Sequence, residues 1–132
     1  MITTEKVINT IIAIIRVLFG ALMIFASTAY FLNMIPAPQL EGKMKIFTEG
    51  IDAAGYLMPL VKSIELACGI LFIANRLVAL AALLILPIVV NILAIHLFID
   101  PQGLPVALFL FVANAALIIH NLGCYKGILI VR

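Results

Sequence analysis

Of the 132 residues, 66% are hydrophobic and 11% charged, with a formal net charge of +2. Soluble domains carry about 45–50% apolar residues, so an ordinary water-soluble fold is excluded, and the basic residues are too scattered for a nucleic-acid surface. At about 20 apolar residues per bilayer crossing, the composition predicts an all-α integral membrane four-helix bundle, one transmembrane domain over residues 1–132.

The first span is expected over residues 7–32. Lys6, an apolar run and the small residues Ser27-Thr28-Ala29 resemble a signal peptide, but Arg16 interrupts the run, and a retained helix is the better reading. Helical spacing places Gly20, Met23 and Ser27 on the Arg16 stripe, where small residues admit a neighbouring helix. Ile12, Ile15, Leu18, Leu22 and Phe25 suit lipid on the other side. Pro36 and Pro38 in the stretch after Leu32 are expected to end the helix.

Between residues 39 and 52, Leu40, Met44, Phe47 and Ile51 recur at helical spacing among charged neighbours. That pattern predicts a short amphipathic helix at the membrane interface. The second span follows over 56–74, with Pro59 in its first turn and Glu65, Cys68, Gly69 and Phe72 on one stripe. A tight turn at Asn75-Arg76 leads to the third span, 77–97, which contains Pro87, where a kink is expected, together with Asn91 and His96. DPQGLP at 100–105 is a turn, and the fourth span runs over 104–122 with Asn114 inside and His120 near its end.

Four spans put both termini on one side. Lys6, Arg76, Lys126 and Arg132 fall there, against Lys43, Lys45 and, depending on its depth, Lys62 on the other, which places the termini in the cytoplasm. Cys68 and Cys124 form neither a CxxC motif nor a disulfide framework.

Charges deep in apolar spans are costly and need partners. Counting about 1.5 Å per residue from the terminal-side face puts Arg16 roughly 14 Å deep, Glu65 roughly 15 Å and Asn114 roughly 12 Å. A buried Arg16–Glu65 ion pair is therefore expected, with Asn114 and Lys62 completing a polar layer. Lys62, three residues before Glu65, is the competing partner. At the opposite face Tyr30, Tyr56, His96 and Asp100 could surround a quinone or lipid headgroup, or form an aromatic belt beside a local His–Asp contact. No catalytic constellation, metal-ligand spacing or intrinsic cofactor motif is present in the sequence.

Arg16 followed by LFGALMIF, then YLMPLVKSIELACGILFIANR, then LILPIVVNILAIHLFIDPQGLP, together resemble the DoxX family of small bacterial four-helix membrane proteins, over most of the chain. The resemblance implies a bacterial cytoplasmic (inner) membrane location and marks Arg16, Glu65 and Arg76 as family-like polar positions. It also implies association with quinone-dependent sulfur oxidation or thiol and oxidative-stress balance. The chain departs from the family near the end of the first span, where Ala26 to Tyr30 replace a glycine–lysine pattern. The function expected first is a DoxX-like accessory subunit with no reaction of its own, binding membrane lipid, another subunit or a second copy of itself. The alternatives are a quinone-binding subunit of a redox complex and, after it, proton-coupled small-molecule transport by an oligomer.

Overall fold

A computed structural model describes residues 3–130. Among them there are five α-helices and no strand: α1 Thr4–Phe31, α2 Gly42–Ala54, α3 Leu57–Ile73, α4 Val78–Phe98 and α5 Leu104–His120. Short 3₁₀ turns at Pro101–Gly103 and Leu122–Tyr125 precede and follow α5. The four longer helices pack in a ring, α1 against α3, α3 against α4, α4 against α5 and α5 back against α1. α1, α4 and the segment Pro101–His120 are each long and apolar enough to cross a membrane. α3 qualifies only together with α2, from which it is bent by 89°.

Local chemistry sets the helix ends. Thr3 caps α1 by accepting from the Lys6 N–H. The stop is at Asn33 rather than at the prolines: its φ of 49° is left-handed, and Met34 and Asn33 donate backward to the carbonyls of Ala29 and Tyr30. This pairing satisfies carbonyls that a helix C-terminus otherwise leaves free. α3 ends in the same way at Asn75, with Asn75 and Arg76 donating to Phe72 and Leu71. Asparagine tolerates this conformation better than other side chains bearing a Cβ, so both stops are written in the sequence. α4 continues through Pro87, which lies on its outward face.

α2 has the expected amphipathic pattern. Met44, Phe47 and Ile51 are half-buried and α2 packs against α3, while its charged residues are exposed. Ile46 breaks the pattern, facing outward at 72% exposure.

The core is built from Phe19, Met23, Cys68, Phe72, Ile85, Val89, Leu110 and Leu117, with Ala81, Ala82 and Ala113 letting α4 and α5 approach. Phe19 and Phe72 stack with centroids 5.0 Å apart. Gly20 and Gly69 mark the crossing of α1 and α3: a Cβ on Gly20 would lie 2.9 Å from the Gly69 carbonyl, and one on Gly69 3.0 Å from the Gly20 carbonyl. Leu18, Leu22 and Phe25 face outward as expected, whereas Ile12 and Ile15 pack against the core. The reason is that α1 touches α5 as well as α3, so two of its faces are covered.

Candidate functional site

The α1–α3 crossing decides where the charges lie. The helices are antiparallel, so Arg16, four residues before Gly20, and Glu65, four residues before Gly69, lie on opposite sides of the contact. Eight residues of rise separate them by about 12 Å along the seam. The expected Arg16–Glu65 pair does not form. α1 begins at Thr4 and overshoots the α3–α4 turn, so depth counted from Val7 places Arg16 too far inside.

Glu65 is instead held by Lys62. The Lys62 Nζ donates to Glu65 Oε2 at 2.7 Å, across one turn of α3, and the carboxylate is 2% exposed. Ser27 Oγ lies 3.5 Å from the same oxygen and 2.7 Å from the Met23 carbonyl, to which its single proton bonds more closely. Depth favoured Arg16 as the partner. Proximity within one helix prevails.

Arg16 Nη1 donates to the carbonyl of Phe72, in the last turn of α3. A cation there is favoured by the negative end of the helix dipole and adds a second donor to a carbonyl that already accepts from the Asn75 N–H. Asn114 is fully buried but joins neither charge: its Nδ2 donates to the Ala82 carbonyl of α4 at 3.2 Å, and its Oδ1 has no partner among the described residues. The single polar layer through Arg16, Glu65, Lys62 and Asn114 is thus three separate contacts.

At the other end, His96 and Asp100 do meet, though chiefly through the backbone. His96 Nδ1 lies 2.8 Å from the Asp100 carbonyl and 3.8 Å from its carboxylate. The carbonyl can only accept, so Nδ1 carries the proton. The ring also packs so closely on Gly103 that a Cβ there would clash with it. Tyr30 rests edge-on against Phe31, and Tyr56 is 66% exposed at the start of α3. Among the described residues no hydrogen bond or ring contact joins either tyrosine to His96 or Asp100.

One polar site emerges only from the folded chain. A cavity of about 220 Å³ is lined by Asn9 and Arg16 of α1, Asn75 of the α3–α4 turn, and His120 and Asn121 at the end of α5. Apolar Ile12, Ala13, Val78 and Leu117 complete its wall. Asn121 Nδ2 is tied to the Leu117 carbonyl at 2.7 Å. The signal was present in the sequence, since Asn9 lies two turns before Arg16 and the ends of α3 and α5 share its side of the bundle.

Cys68 is buried, Cys124 is exposed, and both are free thiols. Among the described residues no three His, Cys, Asp or Glu side chains gather as a metal-ligand set. Comparison of the chain with family models, curated proteins and solved structures gives no match.

Proposed function

We propose that this chain is an integral four-helix protein of a bacterial cytoplasmic membrane, a DoxX-like accessory subunit that carries out no reaction of its own and associates with lipid or another membrane subunit. The observation that carries this reading is the direction in which side chains face. Large apolar residues are exposed on every long helix, among them Ile14 and Phe25 on α1, Leu60 and Ile70 on α3, Leu84 and Val90 on α4, and Val112 and Ile119 on α5. Water-soluble monomers rarely expose contiguous apolar surface on that scale. Meanwhile Arg16 and Asn114 each bond a carbonyl of a facing helix, and Lys62 and Glu65 pair with each other within α3.

Orientation follows from charge. Lys6, Arg76 and Lys126 flank the end that carries the termini, against Lys43 and Lys45 at the other, which favours cytoplasmic termini. A quinone-linked role draws less support, because the His96 ring is already engaged by Asp100 and Gly103.

The test is alkaline extraction of membranes followed by native mass spectrometry of Glu65→Gln beside the parent. The chain should stay with the membrane, and the substitution should weaken its folding or assembly. Release by alkali, or unchanged assembly with loss of a measurable turnover, would refute the reading.

A further inference from the structure

The cavity beneath the overshooting turns of α1 has the chemistry of an anion site. Among the described residues its charged group is Arg16, whose guanidinium is oriented by the Phe72 carbonyl through Nη1, leaving donors on its other nitrogens. Asn9, Asn75 and His120 add polar groups from three separate stretches of chain. Among the described residues no carboxylate lines the cavity. Glu5, one turn before Asn9, is the acidic residue at this end among the described residues, against Lys6, Arg16, Arg76 and Lys126. The opposite end reverses the balance, with Glu41, Glu49, Asp52 and Asp100 against Lys43 and Lys45.

α4 contributes as well. It begins at Val78, in the cavity wall, and Leu77 supplies no side-chain cap. The first N–H groups of a helix have no partner within it, and such groups beside a cation favour phosphate or carboxylate.

What distinguishes a lipid from a free ion is the neighbouring surface. A groove of about 500 Å³ shares Asn75, Val78 and Asn121 with the cavity and continues over Leu77, Leu80, Leu83 and Ile128. We propose that the Arg16 cavity binds the phosphate of an anionic phospholipid, with an acyl chain lying in the Leu77–Leu83 groove. The inference rests on the membrane reading above and specifies its ligand.

The experiment is native mass spectrometry and lipid titration of the detergent-purified full chain. Its probes are dioleoyl phosphatidylglycerol, dioleoyl phosphatidylcholine and inorganic phosphate. Phosphatidylglycerol should bind about tenfold more tightly than phosphatidylcholine, as a charge-assisted contact implies. Asn9→Ala and His120→Ala, which leave the Arg16–Phe72 contact in place, should each lower that preference several-fold, and Arg16→Gln should abolish it.

Equal binding of the two lipids, or a preference unmoved by all three substitutions, overturns the proposal. Displacement of the lipid by millimolar phosphate assigns the cavity to the free ion and also overturns it. Alkaline extraction separates the two levels. A protein that resists alkali but shows no preference loses this site and keeps its membrane placement, whereas one released by alkali loses both.

Discussion

The two charged clusters on the α1–α3 seam lie about 12 Å apart, yet they are built on opposite terms. The Lys62–Glu65 pair is closed: it belongs to one helix, spans one turn and buries its carboxylate almost completely. The Arg16 cluster is open: its residues come from α1, the α3–α4 turn and α5, and a cavity remains between them. The deeper charge is therefore the one more fully occupied with structure. The shallower one keeps donors available. Depth alone, commonly read as a sign of function, points here to the cluster whose groups are already paired.

Removing Lys62 tests the closed cluster most severely. Lys62→Met strands a buried carboxylate and should destabilise the protein by about 3–5 kcal/mol, the range for breaking a buried pair from one side. Glu65→Gln should cost less, about 1–2 kcal/mol, because the amide keeps a hydrogen-bonding shape and Lys62, 17% exposed, can carry its charge outward. Equilibrium unfolding in mixed detergent–SDS micelles measures both. Equal costs would mean that Lys62 is not the partner that matters.

Gly69→Ala should separate the clusters from each other. The new Cβ would meet the Gly20 carbonyl at 3.0 Å and Ile24 Cγ1 at 2.9 Å, and backbone cannot rotate away as a side chain can. The helices must part, at a cost of about 1–3 kcal/mol. Arg16 loses its carbonyl on the facing helix, whereas Lys62–Glu65 moves with α3 and survives. Hydrogen exchange should therefore rise in the last turn of α3 and change little around Glu65. A uniform rise along α3 would contradict this division.

The same crossing explains what could be read from the chain without coordinates. Apolar runs and turn residues located five helices to within a few residues, and the spacing of Met44, Phe47 and Ile51 found the amphipathic one. Those signals are local. Lys62 was legible as a partner of Glu65, three residues away on the same helix; that Arg16 would miss Glu65 was not, because register between α1 and α3 depends on the mutual contact of Gly20 with Gly69, 49 positions apart. A depth count assumes that helices start at a common plane, and α1 does not. The cavity was legible only in part: chain order puts Asn9, Asn75 and His120 at one end of the bundle, but they line one space only when the ring of helices closes.

Tyr125 gives the smallest expected effect and tests whether the open end is held independently of the middle. Its hydroxyl donates to the Ala79 carbonyl at 2.8 Å, tying the Leu122–Tyr125 turn over the first turn of α4. Tyr125→Phe removes one hydrogen bond and should cost about 1 kcal/mol. Burial, and secondarily the neighbouring Cys124, pushes the phenol above its ordinary pKa of 10.0. A raised folded-state pKa means that the neutral form is favoured by folding. The stabilisation is then complete below the unfolded pKa near 10 and is lost as pH rises through the folded value. Unfolding measured on either side of pH 10 should show that loss in the parent and not in Tyr125→Phe. If the loss persists in the variant, the alkaline weakness lies elsewhere. If it vanishes, hydrogen exchange confined to the start of α4 and the Leu122–Tyr125 turn would show the open end loosening while the Lys62–Glu65 turn stays shut.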